Sequence, residues 1–258
     1  ILDLISPLVT TMITSKLRYT NIFTKDLTQA SLGRMFLIME QNYSSISRIS
    51  FDKDLENKQF IGVLTDNNKV IQGFTTYGIN PYETGTPEYN ILFSGDTIIS
   101  PEYWGSQELV KGWCKTVGRL IAGSPEKKWY WFLLSKGHRT YMYLPLFFEK
   151  YYPAFDKDKE ANLFPIINAC ANLMYGESWD PSKKVIAFKK SHGELKKIHS
   201  ETTFKKVKSN AHISFFLERN PGFEKGDELT CMAELNVDNM RRFAKSLVVE
   251  GMNNPLYF

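Results

Sequence analysis

Apolar residues at helical spacing predict a first helix in the amino-terminal part of the chain. They are Leu32, Met35, Phe36, Met39 and Tyr43. Thr24 or Thr28 can cap its amino end, because a threonine hydroxyl accepts a hydrogen bond from a free backbone N–H of the first turn. One face of this helix is expected to be buried.

Two runs rich in β-branched and aromatic residues follow, at 60–65 and 69–77. Between them stand Asp66, Asn67 and Asn68, which tolerate the backbone conformations of a tight turn. The pattern therefore predicts a β-hairpin.

The centre of the chain alternates strands and helices. A third β-rich run at 89–99 stops before Pro101, since proline has no N–H to give to a strand ladder. Residues 106–121 have apolar positions at helical spacing, 128–134 are typical of a buried strand, and 140–151 predict another helix. A helical crossover joins parallel strands, so the strand at 128–134 is expected to have a parallel neighbour.

The pattern is weaker in the carboxy-terminal part. It predicts helices at 161–174 and 237–249, strands at 185–188 and 213–217, and a polar loop at 218–228. This loop is either a structural turn or a mobile lining of a substrate cleft. The order of elements as a whole predicts an α+β fold.

Composition excludes several classes of protein. Of 258 residues 43% are hydrophobic and 23% are charged, which excludes long disorder, collagen and coiled coil. The three cysteines Cys114, Cys170 and Cys231 lie far apart without a CxxC pair, so neither a disulfide framework nor a metal site is expected. The longest apolar stretch, 141–148, is too short to cross a bilayer, and the amino-terminal residues lack a signal peptide pattern. We expect a cytoplasmic protein with no membrane span.

The formal net charge of +4 is too small to indicate a nucleic-acid partner. Positive charge is nevertheless concentrated between Lys183 and Lys208, where nine lysines accompany two glutamates. This strip is either the solvated face of an element, which is the favoured interpretation, or a surface for a phosphate-rich partner.

The turn between 99 and 108 has features of an anion site. Gly105 comes shortly before a predicted helix, whose first N–H groups and dipole favour bound anions such as a pyrophosphate. A glycine lets the backbone approach such a group closely. An ordinary loop cap is the alternative.

At this point residues 27–153 resemble the GNAT acyltransferase superfamily, in which a hairpin, a central strand, a phosphate-binding turn into a helix and a further strand follow each other. The family's turn has the form Gln/Arg-x-x-Gly-x-Gly/Ala, and the matching residues here are Glu102-Tyr103-Trp104-Gly105-Ser106-Gln107. Gly105 matches, whereas Glu102 and Gln107 depart from the pattern.

The resemblance implies a GNAT-like mixed, mainly antiparallel sheet and a site for the acyl donor. The backbone that would pair with a pantetheine arm belongs to Ile98, Ile99 and Ser100, although both isoleucines could equally be core. Trp104, Gly105, Ser106 and Gln107 would surround the pyrophosphate.

The resemblance also bears on the group that protonates the departing thiolate. Phe148 stands where the family often has a tyrosine, in Phe147-Phe148-Glu149-Lys150-Tyr151. Tyr141, Tyr143 or Tyr151 would substitute for it, or the acid is absent.

Acyl transfer to an amine also needs a base. Asp96 is the first candidate, because a partly desolvated carboxylate on the central strand would have a raised pKa. Its alternative role is to cap a bulge next to Gly95 or to pair with a lysine.

His138 and Arg139 follow the buried strand, so His138 could be a base and Arg139 could hold a phosphate or carboxylate, unless both are exposed loop residues.

These features predict an N-acyltransferase that uses a coenzyme A thioester as co-substrate, or a pantetheinyl carrier, and no metal. The acceptor would be a small-molecule amine or a peptide, with an acyl carrier protein as a further partner. Residues 1–160 would form the acyl-CoA-binding core, and 161–258 an extension that shapes the acceptor site or completes the sheet. The alternatives are a non-catalytic scaffold of the same shape and a carrier-protein or polyanion-binding module that uses the strip from Lys183 to Lys208.

Overall fold

The computed structural model describes residues 16–79, 89–188, 194–195 and 210–257, with backbone alone at 194–195. The strands are β1 (Arg18–Phe23), β2 (Tyr43–Ser44), β3 (Phe60–Thr65), β4 (Ile71–Ile79), β5 (Tyr89–Ile99), β6 (Lys128–Ser135), β7 (Trp179–Asp180), β8 (Val185–Ile186), β9 (Glu194–Leu195) and β10 (Glu228–Glu234). The helices are α1 (Gln29–Asn42), α2 (Arg48–Glu56), α3 (Glu108–Gly123), α4 (His138–Tyr141), α5 (Tyr143–Phe147), α6 (Phe164–Tyr175), α7 (Ala211–Arg219) and α8 (Arg242–Met252).

Eight of the described strands form one sheet in the order β1-β3-β4-β5-β6-β10-β8-β7. All its pairings are antiparallel except that of β5 with β6, which are parallel and joined through α3. The predicted parallel neighbour and the mixed, mainly antiparallel sheet are confirmed. Strands β7, β8 and β10, from the carboxy-terminal part, lie in this same sheet.

Helices cover both faces of the sheet. Trp131 of β6 packs in one core cluster with Trp113 of α3 and Val248 of α8. On the opposite face Phe132 packs with Ile167 of α6, and further along the sheet α1 and α2 cover β3 and β4. The alternation of side chains along β6 therefore separates two apolar layers.

Three predicted elements differ from the structure. Residues 213–217 are not a strand but part of α7, because the Asn210 side chain caps the amino end of the helix and accepts from the N–H groups of His212 and Ile213. A short apolar run cannot be assigned to helix or strand by periodicity alone.

The other two differences are interruptions. The helix predicted at 140–151 consists of α4 and α5 and ends at Phe147, after which Phe148 has extended backbone and bridges to Met240. The helix predicted at 237–249 is a 3-10 turn at Val237–Asn239 followed by α8.

The hairpin and the first helix are as predicted. Asp66 Oδ1 accepts hydrogen bonds from the N–H groups of Asn68 and Val70 across the turn between β3 and β4. The Thr28 hydroxyl caps α1 by accepting from the N–H of Ser31. Strands β1 and β10 and helix α2 are elements that the sequence pattern did not reveal.

Candidate functional site

Strands β5 and β6 run side by side along only part of their lengths. Their pairing extends from Tyr89 opposite Lys128 to Ser94 opposite Leu133. Beyond this point β5 continues to Ile99 and pairs with β4 on its other side. Between Ser94 and Ile99, no described strand pairs with the edge of β5 that faces β6. An extended ligand can therefore reach backbone groups there.

A β-bulge lies at the start of this open edge. Tyr77 pairs with Ser94 and Thr75 with Thr97, so the two residues Gly95 and Asp96 face one residue of β4. A bulge bends its strand and changes the direction of the side chains on it.

Ser94 holds two tryptophans at the point where the strands diverge. Its hydroxyl oxygen accepts the indole N–H of Trp113 at 3.2 Å and that of Trp131 at 2.9 Å. All three residues are buried. This contact fixes the inner end of the cleft between β5 and β6.

Asp96 is half-buried, and its carboxylate makes neither a hydrogen bond nor an ion pair with any residue that the structure describes. Burial raises its pKa to about 6, with repulsion from Asp54 and Glu228 adding to the rise and attraction to Lys58 and Lys136 opposing it. The bulge and the nearby lysines, on which the structural interpretation of Asp96 depends, are thus both present. The desolvated carboxylate that a general base requires is present as well.

The two lysines near Asp96 have partners of their own. Lys136 forms an ion pair with Glu228 at 3.1 Å and lies over the ring of Tyr43. Lys58 is 6% exposed and contacts both carboxylate oxygens of Asp54 at 2.8 Å.

The turn into α3 places Gly105 on the surface. Its φ of +92° lies in the left-handed region, and a Cβ at this position would meet no atom within 4 Å. The Ser106 hydroxyl accepts from the N–H of Glu108 at 3.3 Å, while Gln107 and Glu102 are exposed. The glycine is thus required by backbone conformation, and the space above it can hold a ligand.

The structure brings Arg139 to Trp104, and Tyr143 lies within reach of the charge of Arg139. The guanidinium carbon of Arg139 lies 5.9 Å from the centre of the Trp104 ring, and both side chains are exposed. Tyr143 is half-buried; burial raises the pKa of its hydroxyl, and the charge of Arg139 opposes the rise. The Arg139 cation therefore lies against the turn that precedes α3.

The three residues expected along a pantetheine arm differ in what they offer. Ser100 is buried and donates its N–H to the Gln72 carbonyl at 2.8 Å, so Ile99 directs its backbone groups to the open edge. The Ile99 carbonyl accepts the Trp104 indole N–H at 3.1 Å. Ile98 is a core residue, opposite Phe74.

Tyr141 and His138 lie in less accessible positions. Tyr141 is buried, and its hydroxyl donates to the Pro153 carbonyl at 2.9 Å. Burial raises its pKa far above the ordinary value. His138 is half-buried, and burial, aided by Arg139, lowers its pKa to about 4.

Sequence reasoning did not identify Lys58, Ser94, Lys136 and Glu228 as parts of this region. Lys136 directly follows β6 and Glu228 begins β10, and this position at a strand end is a signal that the sequence offers for both residues. The role of Ser94 depends on two tryptophans that are distant in the sequence. The strip from Lys183 to Lys208 lies mostly outside the described residues.

The described ranges contain neither a metal-binding cluster nor a membrane-spanning helix. No group of three or more His, Cys, Asp or Glu side chains there could hold a metal ion. None of the helices described is both long and apolar enough to cross a membrane.

No protein-family model matches the sequence, and neither does any curated protein. Among solved structures, a GNAT family N-acetyltransferase of Escherichia coli in complex with CoA is 9% identical, with a TM-score of 0.35 over 50% of this chain and 67% of that one. Escherichia coli ElaA is 11% identical, with a TM-score of 0.35 over 57% of this chain and 95% of its own. A GCN5-related N-acetyltransferase from Kribbella flavida is 11% identical, with a TM-score of 0.37 over 67% of this chain and 50% of its own.

These likenesses are too distant to bear on activity or ligands, and the chain spans half the length of the Kribbella protein. The fold can be judged from the chain itself. Its antiparallel strands β3, β4 and β5, the parallel partner β6 that diverges from β5, and the turn into α3 between them form the arrangement that the sequence resemblance implied. The chain has a divergent GNAT-like α+β fold.

Proposed function

We propose that this chain transfers an acyl group from a coenzyme A thioester, or from a pantetheinyl carrier, to the amine of a small molecule or peptide. The observation that carries the proposal is the divergence of β5 from β6 beside Asp96, whose pKa is raised to about 6. The cleft offers backbone groups to an extended donor, and the carboxylate can receive a proton at neutral pH.

The residues at the turn fit a phosphate-bearing donor. The first N–H groups of α3 and the exposed guanidinium of Arg139 supply positive charge, and Gly105 leaves open space above the turn. Glu108, which would oppose an anion, is paired with Lys111 at 2.7 Å. Trp104, Ser106 and Gln107 would flank the phosphates, with Ile99 at the open edge of β5.

The pKa of Asp96 suits a general base better than the pKa of His138 does. A base functions best when its pKa is close to the working pH. The pKa of Asp96 is about 6, whereas that of His138 is about 4 although histidine ordinarily titrates near neutrality. Asp96 accepts the proton that the amine loses as its nitrogen bonds to the acyl carbon.

Tyr143 is the proposed acid. The carbon–sulfur bond of the donor breaks during transfer, and the departing sulfur needs a proton. Tyr143 is close enough to Arg139 to be affected by its charge, while the proton of Tyr141 is engaged by the Pro153 carbonyl. The thioester supplies the activated acyl group, and the chain supplies the proton transfers and the orientation.

A non-catalytic scaffold is the competing function. Glu102 near the phosphate position and the hydrogen bond from Trp104 to Ile99 favour it, because both would weaken binding of the donor. A location in the cytoplasm and an acyl carrier protein as partner remain predictions.

Titration with acetyl-CoA tests the donor site. We expect a raised melting temperature with the wild type, because a ligand that binds the folded state stabilises it. Gly105→Glu should abolish this shift, since it places a negative charge where phosphates bind and strains a left-handed residue. Gly176→Glu is the matched control, because Gly176 also has a positive φ, is exposed and meets no atom within 4 Å. Loss of the shift in both variants, or in neither, would contradict the assignment.

Tyr143→Phe and Tyr141→Phe distinguish the two tyrosines. We expect Tyr143→Phe to lower kcat by roughly 10- to 100-fold with KM nearly unchanged, as for loss of a general acid. Tyr141→Phe should mainly lower the free energy of unfolding, by about 1 kcal/mol, through the lost hydrogen bond to Pro153. Steady-state kinetics measure the change in kcat, and urea unfolding measures the change in the free energy of unfolding. A larger loss of kcat in Tyr141→Phe than in Tyr143→Phe would assign the acid role to Tyr141.

A further inference from the structure

We propose that Gln72 is a positioning residue that fixes the turn into α3, at residues 100–107, where the phosphates of the donor would bind. The inference rests on the proposed function for the identity of the ligand. The contacts that hold the turn belong to the folded chain, so they can be tested without any substrate.

Gln72 lies on β4 beside the end of β5 and holds Ser100 by two contacts. Its main-chain carbonyl accepts the Ser100 N–H at 2.8 Å, and its side-chain oxygen accepts the Ser100 hydroxyl at 3.2 Å. Ser100 is 1% exposed. Any residue at position 72 offers the main-chain carbonyl, whereas the second contact needs a side-chain acceptor of this length.

Two charged residues fix the orientation of the Gln72 amide group. Arg34 of α1 donates from Nη2 to the Gln72 oxygen at 2.8 Å, and the Gln72 nitrogen donates to Asp66 Oδ2 at 2.9 Å. The second contact is the main cause that lowers the pKa of Asp66, which is therefore ionised at neutral pH. A guanidinium only donates and a carboxylate only accepts, so the amide oxygen faces Arg34. This places it where the Ser100 hydroxyl reaches it.

The contact at Ser100 continues into the turn through backbone hydrogen bonds. The Tyr103 N–H donates to the Ser100 carbonyl at 2.9 Å, and the Ser106 N–H donates to the Tyr103 carbonyl at 3.1 Å. Gly105, with its φ of +92°, lies within the second of these loops. A displacement of Ser100 would therefore be passed on to the backbone that leads into α3, whose first N–H groups can bind an anion.

Gln72→Met removes the acceptor with little change in side-chain length. It leaves the Ser100 hydroxyl and one N–H of Arg34 without their acceptor. We expect the Kd for acetyl-CoA to rise by roughly 10-fold, because a binding site must be held to within about 0.5 Å by the residues behind it. kcat at saturating donor should stay nearly unchanged. Amide hydrogen exchange at Tyr103 and Ser106 should become faster.

An exchange of donor and acceptor between positions 72 and 66 provides a rescue. In Gln72→Glu alone, a carboxylate oxygen replaces the nitrogen that lies 2.9 Å from Asp66 Oδ2, and the like charges repel. Gln72→Glu combined with Asp66→Asn restores the contact in reverse, because the introduced amide donates and the introduced carboxylate accepts. We expect the single variant to bind acetyl-CoA more weakly and the double variant to bind it nearly as well as the wild type. Lost packing alone would not be restored by the second substitution.

Gln59→Met is the matched control. The side-chain oxygen of Gln59 accepts the Ile79 N–H at 2.6 Å, at the other end of β4. The substitution thus removes a side-chain acceptor from the same strand at a distance from the turn into α3. We expect the Kd for acetyl-CoA and the exchange at Tyr103 and Ser106 to stay as in the wild type.

The experiment combines calorimetric titration with acetyl-CoA and amide hydrogen exchange, both on the full chain. The expected result is weaker binding and faster exchange of the turn in Gln72→Met and Gln72→Glu, restoration in the double variant, and no change in Gln59→Met. An unchanged Kd or unchanged exchange in Gln72→Met, or a double variant as impaired as Gln72→Glu, would overturn the proposal. If the exchange results hold but the wild type binds no acetyl-CoA, the proposed function fails while the positioning of the turn by Gln72 stands.

Discussion

Asp96→Asn should lower kcat by about 10² to 10⁴-fold, the usual contribution of a general base. The amide keeps the shape of the carboxyl group but cannot accept a proton at neutral pH. The wild-type profile of kcat/KM should rise with pH through an apparent pKa of about 6, since the ionised form of Asp96 is the active one. This rise should be absent in the variant.

The same substitution should stabilise the fold at neutral and higher pH. The pKa of Asp96 is raised from 3.8 to about 6, so the folded state holds the proton more tightly than the unfolded state. The wild type therefore loses stability from this group as pH rises from about 4 to 6, by roughly 3 kcal/mol at most. Urea unfolding should find Asp96→Asn more stable than the wild type at pH 8 and equal to it near pH 4.

Loss of activity together with gained stability is a combination that damage to the fold cannot produce. An Asp96→Asn enzyme with unchanged kcat would remove Asp96 as the base. A variant less stable than the wild type at pH 8 would show that the ionised carboxylate is stabilised by contacts that the structure does not describe.

Ser94→Ala is expected to have the largest effect on stability. The substitution leaves the indole N–H groups of Trp113 and Trp131 without their acceptor in a buried environment. An unsatisfied buried donor costs about 1–3 kcal/mol, so the free energy of unfolding should fall by roughly 2–5 kcal/mol. Urea unfolding followed by tryptophan fluorescence measures the change directly.

Ser135→Ala is the control for Ser94→Ala. Ser135 is also fully buried at the end of a central strand, but the donor to its hydroxyl is the Cys231 thiol, at 3.8 Å. Thiols are weak donors, and we expect a loss of about 1 kcal/mol or less. Equal losses in the two variants would show that the paired indole contacts do not hold the cleft.

Much of the fold could be predicted from the sequence, because local signals and the final structure agree there. Asp66 fixes the turn between β3 and β4, Thr28 starts α1, and the run of aromatic residues in β6 marks a buried strand. The prediction was wrong at 213–217, where a short apolar run fits the spacing of a helix as well as that of a strand. It was also wrong at the end of 140–151, where Phe148 leaves the helix and bridges to Met240.

The site was predictable in part. Asp96 lies on a β-rich run, and Gly105 and Arg139 stand close to helix starts, all of which sequence patterns can locate. The bulge at Gly95 and Asp96 could not be predicted, because a bulge depends on the register of two strands, which the sequence does not specify. The same holds for the two indoles on Ser94, which come from different elements.

The most direct test of the proposed acyl transfer is detection of the amide product. The chain is incubated at pH 8 with acetyl-CoA or a longer acyl-CoA and a panel of primary amines and peptides, and thiol release and N-acyl products are followed by absorbance and mass spectrometry. We predict an amide whose formation is lost in Asp96→Asn and retained in Asp52→Asn, which changes an aspartate of α2 that forms a surface ion pair with Arg48. Acyl-CoA binding without any amide product, or equal product from wild type and Asp96→Asn, would contradict the proposed mechanism.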